Sequence, residues 1–182
     1  MSDDHDRTVE FLQALFPELG PTALVELRGF APGQKGPPRL RRWCESLDEL
    51  QALCEEHRSN LDLYIGVAAR RRRKGTKEDL AYTGALWADI DTAEAIERLA
   101  RFQHRPSAEV RSGTGEHLHA YWLLREPASL ETEAERGQFE QLNKGVSDFL
   151  SADHCWDASR VMRLPGSLNH KHDPAPEVRL VV

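Results

Sequence analysis

Four stretches of the chain carry side chains whose types and spacing could do chemistry. The first is Trp87-Ala88-Asp89-Ile90-Asp91. If this segment is a strand, Asp89 and Asp91 point to the same face. Two carboxylates that close repel each other and raise a pKa unless a cation sits between them. A hard divalent cation with oxygen ligands is the natural partner. The plainer reading is that Asp91 only begins a turn into the next helix. The second stretch runs from Arg111 to Trp122. Its loop, Ser112-Gly113-Thr114-Gly115, can turn backbone N–H groups toward a phosphate. His117, His119 and Tyr121 then alternate onto one face of the strand that follows. A glycine hairpin with one polar strand face is the plainer account.

The third stretch is Trp156 to Lys171. It gathers Asp157, Arg160, Arg163 and Lys171 around a Pro165-Gly166 turn. Cations at this density suit a triphosphate or a nucleic-acid backbone, although solvated surface ion pairs are commoner. The fourth is the run Arg70, Arg71, Arg72, Arg73 and Lys74, with Lys77 just beyond. Such runs usually sit in solvent. This one lies between two predicted strands, one of which leads to the Asp pair. A phosphate-facing loop or hairpin tip, partly mobile, is therefore the expectation.

The elements that must position these groups follow from pattern. Residues 7–16 have helical spacing, with Val9, Leu12 and Phe16 inward and Pro17 ending the run. Residues 23–28 alternate as a strand, and Gly/Pro-rich 29–38 reads as a mobile loop. Ser46 and Glu49 form a capping-box pattern that opens a helix to about His57. Strands are predicted at 61–68, 84–90, 107–111 and 117–124. Thr92 caps a helix through about Gln103. Residues 130–150 form the longest helix, with Phe139, Leu142, Val146 and Phe149 along its buried stripe. The tail, 177–182, reads as a strand. Strands and helices mix without a regular βαβ repeat, which predicts an α+β fold.

Composition sets the outer limits. The chain has 182 residues, 40 % of them hydrophobic and 30 % charged, enough for one domain with a real core. Its net charge of −6 excludes a uniformly basic nucleic-acid coat but leaves room for a local basic site. Three scattered cysteines make no disulfide framework and no CxxC zinc pair. No apolar run is long enough to span a membrane. The acidic N-terminus does not read as a signal peptide, so a cytoplasmic protein is expected.

Taken in order, the first three stretches resemble the motifs of the archaeo-eukaryotic primase (AEP) superfamily. The closest likeness is to primase-polymerase domains of plasmid- and phage-type replication proteins. Asp89 and Asp91 in LWADID match that family's Asp-x-Asp strand. Ser112 with a histidine in SGTGEHLHAYWLL matches its Ser-x-His type motif, and Asp157 in DASRVMRLPGSLNHK matches its later Asp. The lead-in GVAARRRRKGTKEDL is also similar. The likeness spans roughly residues 60–173.

The resemblance implies an RRM-like antiparallel sheet with helices, joined to an N-terminal α/β module with the active site between them. Residues 1–58 would supply part of the N-terminal module, and residues 59–182 the motif-bearing part, in a single catalytic core. It implies template-directed nucleotidyl transfer in DNA replication. Asp89, Asp91 and Asp157 would hold two Mg²⁺ or Mn²⁺ ions about 3.5–4 Å apart. Ser112, Gly113, Thr114, Gly115, His119, Arg163 and Lys171 would cradle the (d)NTP. Counting from Ser112 selects His117 as the motif histidine, and counting back from Tyr121-Trp122 selects His119. Arg70, Arg71, Arg72, Arg73, Lys74 and Lys77 would contact template or primer DNA. A monomeric core is expected, cut from a longer protein with a fused or associated helicase.

Two other readings compete. His117-Leu118-His119 has the histidine–hydrophobic–histidine form of HUH-type replication-initiator endonucleases. Those need a tyrosine nucleophile, and Tyr64, Tyr82 and Tyr121 all lie outside a later helix. A non-catalytic single-stranded nucleic-acid binding module would explain the cations and Trp122 or Trp156, but not three separated acids.

Overall fold

The computed structural model describes residues 2–33, 35–113 and 115–181. Helix α1 (Ser2–Leu15) leads into strands β1 (Val25–Phe30) and β2 (Leu40–Cys44), helix α2 (Leu47–His57) and strand β3 (Asp62–Gly66). Strand β4 (Tyr82–Ile90), helix α3 (Ala93–Arg101), strands β5 (Ala108–Arg111) and β6 (Leu118–Ser129) and helix α4 (Glu133–Leu150) follow. Strands β7 (Val161–Arg163) and β8 (Arg179–Val181) complete the set. Among the described residues the strands make two four-stranded antiparallel sheets, ordered β2-β1-β3-β7 and β4-β6-β5-β8. The expected α+β class is the observed one. The β4-α3-β5-β6-α4 run has the order βαββα, and the next strand, β7, joins the other sheet. No helix is long and apolar enough to cross a membrane.

The first sheet draws strands from both sides of residue 58. The sheet holding the N-terminal strands also takes in β3 and β7, so a cut at 58/59 passes through its hydrogen bonds. Strands β2 and β7 have no counterpart in the sequence reading. The first hides its apolar alternation behind Arg41 and Arg42, and the second has only three residues. Gly29 and Phe30 belong to β1 and not to the loop expected there.

Local chemistry explains most boundaries. Ser46 accepts the Glu49 N–H at 3.2 Å and caps α2, while Glu49 Oε2 accepts the N–H of Glu45 and not that of Ser46. Thr132 and Glu135 make the full reciprocal box at α4, which therefore starts at 133. Gly84 sits at an irregularity in β4, where an added Cβ would lie 2.6 Å from the carbonyl oxygens of Ala14 and Leu15. Only glycine lets the end of α1 come so close to β4.

The second sheet is buried on both faces. Trp87, Tyr121, Val110 and Ala108 pack into the core shared with the first sheet and α1, and Phe11 meets Tyr121 edge-on at 5.1 Å. On the other face, Ala88, Ile90, Leu118 and Ala120 pack with Ala95 of α3 and Leu150 of α4. The predicted stripe on α4 is rotated. Leu142 and Phe149 are exposed, and the buried face carries Phe139, Asn143, Ser147 and Leu150.

A polar residue occupies that stripe because β4 lies at the edge of its sheet. The outward N–H of Trp87 donates to Asn143 Oδ1 at 2.9 Å, and Asn143 Nδ2 donates to the Trp156 carbonyl at 3.2 Å. We expect Asn143→Leu to leave both backbone groups without a partner and to cost about 2–3 kcal/mol. Urea unfolding measures it, and an unchanged midpoint would show that water replaces the amide.

Candidate active site

Asp89 lies near the end of β4, directly across from His119 on β6. Asp91 follows the strand by one residue and is exposed, just before Thr92 caps α3. The turn reading and the paired-acid reading of Asp91 are thus compatible. A third acid reaches the pair from the segment after α4. The Asp153 N–H donates to the Asp89 carbonyl at 3.0 Å, on the free edge of β4. The Trp87 indole donates to the Cys155 carbonyl at 2.6 Å. These bonds set donor atoms of Asp89, Asp153 and Cys155 within 4.8 Å of one another. The Cys155 Sγ lies 3.7 Å from Asp89 Oδ2 and 3.7 Å from Asp153 Oδ2.

Asp157, expected as the third acid, is paired with its own neighbours in sequence. Its carboxylate accepts from Ser159 Oγ at 2.7 Å and pairs with Arg160 at 3.0 Å. Sequence inspection missed Asp153 because a lone acid in a coil of unknown path carries no spacing signal. The stretch Ala152-Asp153-His154-Cys155 was legible only as the approach to Trp156.

The electrostatics of the group are strained. Burial first, and then the charges of Asp91 and Asp153, push the Asp89 carboxyl up to about 6. Burial pushes the Cys155 thiol up to about 12; the charge of Arg160 pulls against it, and the charges of Asp89 and Asp153 add to the rise. His119 is 9 % exposed, and burial with the charge of Arg163 pushes its imidazole down to about 4. It is therefore neutral near pH 7. Its Nε2 stands 3.7 Å from Asp89 Oδ1, and its Nδ1 has no hydrogen-bond partner. His117 precedes β6, is exposed, and acts on Asp89 only through its charge. The two histidines are thus not an equivalent pair.

Arg163 comes from the first sheet. It is 4 % exposed, pairs with Asp62 at 3.0 Å, and covers the Tyr64 ring at 4.9 Å, with one Nη left unsatisfied. In register, Arg41, Arg28, Tyr64 and Arg163 form one row across that sheet. The Gly loop is pinned to the segment after β7. Asn169 donates to the Ser112 carbonyl at 2.8 Å, and Gly113 has φ +74° with Pro176 2.6 Å from where a Cβ would lie. Ser112 is buried, Gly115 and Lys171 are exposed, and Thr114 lies outside the described residues. Asn169 is a positioning residue that sequence reasoning did not single out.

The basic run is not a uniform cationic tip. Arg70 is buried, and its Nε contacts Glu26 at 2.6 Å, so it has no surface to offer a phosphate. The same fully buried Glu26 accepts from Arg28 and Arg41, each at 2.7 Å. Burial favours protonation of Glu26, but the Arg28 hydrogen bond and the charges of Arg70, Arg28 and Arg41 outweigh it and lower the pKa. Arg71 approaches Glu131 at 4.0 Å, Arg72 pairs with Asp79, Arg73 with Glu45 and Lys77 with Glu140. Lys74 is exposed.

No family model matches the chain, and no curated protein does. Three solved structures do. The AEP domain of the cyanophage S-2L primase-polymerase superposes with a TM-score of 0.69 at 17 % identity, over 98 % of this chain and 90 % of that one. The primase RepB′ gives 0.61 at 18 %, over 97 % of this chain and 56 % of that one. The catalytic domain of primase RepB′ in complex with initiator DNA gives 0.57 at 21 %, over 96 % and 84 %. The chain has the fold of an AEP primase-polymerase domain.

The raised pKa of Asp89 has a measurable cost. The group ionises at about 6 in the folded chain, against an ordinary value of 3.8. Between those values the folded state holds a proton that the unfolded state has lost. Stability therefore falls as pH rises through that window, and the penalty is complete above it. Metal-free Asp89→Asn should be more stable than the parent at pH 8 by about 1–3 kcal/mol, with that advantage lost near pH 4. Denaturant unfolding at the two pH values checks this. A variant with no pH-dependent gain would show that the carboxylate is not destabilised by its surroundings.

Proposed function

We propose that the chain is the catalytic core of a template-directed primase-polymerase, which joins (d)NTPs on a DNA template during replication. The observation that carries this reading is the meeting of Asp89, Asp91 and Asp153 beside an arginine-bearing sheet face, on an AEP-type fold. The donor set fits divalent cations. Three carboxylates crowd one another, and a cation relieves the repulsion that raises Asp89. Asp89 and Asp153 would hold Mg²⁺ or Mn²⁺, with Asp91 completing the set. Such ions, when bound, favour ionisation of an attacking 3′-hydroxyl and offset charge on departing pyrophosphate.

The chain's own groups do the rest. Ser112 and the loop amides receive phosphate oxygens, and Asn169 holds that loop in place. Neutral His119 offers an uncharged N–H to the bound nucleotide without competing for the cation. Arg163, with one buried Nη lacking a partner, adds positive charge from the first sheet, and Lys171 adds an exposed charge. Arg71, Arg72, Arg73, Lys74 and Lys77 contact template or primer phosphates. The exposed pairs of Arg71 with Glu131 and Arg73 with Glu45 are worth about 0–1 kcal/mol, so they can exchange a carboxylate for a phosphate. Arg70 is left out, since it is committed to Glu26. An endonuclease of the HUH type is disfavoured by Tyr121, which is 1 % exposed and cannot present its hydroxyl to DNA.

Extension of a labelled primer with dNTPs and Mn²⁺ tests the reading. Asp89→Ala and Asp153→Ala should each lower the rate by about a hundredfold or more, while Asp157→Ala leaves extension readily measurable. Full activity in Asp89→Ala would remove the proposal, and loss in Asp157→Ala alone would restore Asp157 as the third acid. A covalent protein–DNA adduct on a denaturing gel would favour the endonuclease. Replacing Arg71, Arg72 and Arg73 together with Ala should weaken template binding and flatten its log–log salt slope by roughly two to three units. Identical salt titrations for parent and variant would make these arginines structural only.

A further inference from the structure

Cys155 is the one thiol of three that reaches the acid group. Cys44 and Cys54 are buried in the core beneath the first sheet. Its Sγ stands 3.7 Å from an oxygen of Asp89 and 3.7 Å from an oxygen of Asp153. Its backbone is fixed on both sides. The N–H donates to the Asp153 carbonyl at 2.7 Å, and the carbonyl accepts from the Trp87 indole at 2.6 Å. A separate observation points to a ligand at the same place. His119, nine-tenths buried and without a hydrogen bond at Nδ1, comes from the opposite side and aims Nε2 at Asp89 from 3.7 Å.

Hard cations such as Mg²⁺ take oxygen ligands and make no use of sulfur. A thiolate is soft and selects metals such as Zn²⁺. Zinc accepts a mixed set of Cys, His and Asp donors in four-coordinate sites. We propose that Cys155 is a metal ligand, and that its thiolate with Asp89 and Asp153 makes the site prefer Zn²⁺ over Mg²⁺. This rests on the proposed reading of the acid group as a metal site. It adds a donor and a selectivity that an all-carboxylate site lacks. Zinc held this way occupies the position of the hard cation, so it inhibits nucleotidyl transfer and competes with Mg²⁺.

The test uses the purified chain after chelator treatment, with Co²⁺ as the spectroscopic stand-in for Zn²⁺. Co²⁺ should give a thiolate-to-metal charge-transfer band that Zn²⁺ displaces. Cys155→Ser should lose the band, and its Zn²⁺ affinity should fall by about tenfold or more, while Mn²⁺ binding read by its paramagnetic resonance signal changes little. On the unaltered chain, alkylation of Cys155 followed by peptide mass spectrometry should be slowed by Zn²⁺ and not by Mg²⁺. Co²⁺ bound without the band, or alkylation indifferent to Zn²⁺, would overturn the role of Cys155. Retained Mn²⁺ binding in that case leaves the carboxylate site standing. A chain that binds neither Mn²⁺ nor Co²⁺ would remove both.

Discussion

Strand β4 carries Asp89 and lies at the edge of its sheet, so its outward backbone groups need partners that no further strand supplies. Leaving such groups dry and unpaired is costly. Here the Asn143 amide takes the Trp87 N–H, and the Asp153 N–H takes the Asp89 carbonyl. The same two bonds guide the chain after α4 along the strand edge. Asp153 and Cys155 reach Asp89 because the edge had to be covered. Chemistry and backbone satisfaction are thus met by one segment, and α4 acts as the clamp that holds it.

Charge is divided between the two sheets. The second sheet presents Asp89, joined by Asp91 and Asp153, while the first presents Arg28, Arg41 and Arg163 in one row with Tyr64. Each side is held in tension by burial. Glu26 stays ionised in the core only because three guanidinium groups surround it, and the row of cations survives because Glu26 and Asp62 lie beneath it. Removing either carboxylate would leave buried positive charge uncompensated, a change that typically costs about 3–5 kcal/mol. A chain with net charge −6 thereby keeps a local positive face.

The arginine run shows how one feature serves two purposes. Arg70 belongs to the fold, as the buried partner of Glu26, and its neighbours fan out to acids on four different elements or loops. The Arg71 and Arg73 pairs are exposed, whereas Arg72 is tied to the buried Asp79.

Most elements, and the two motifs that need only local spacing, could be read from the chain alone. The apolar run at 84–90 placed β4 and hence Asp89 and Asp91, and cap chemistry placed α2 and α3. These features depend on neighbours within a turn or two of each other, so their physics is written in short windows. The stripe of α4 was misread because hydrophobicity was the guide, whereas the buried face needed Asn143 to satisfy an edge strand 56 residues away in sequence. Arg70 was read with its neighbours as solvent-facing, since nothing nearby reveals that Glu26 waits for it across the core. The approach of Asp153 to Asp89 is hidden from the sequence for the same reason. Which of two acids four residues apart meets Asp89 depends on where the chain crosses the edge of β4, and long-range hydrogen bonding alone decides that.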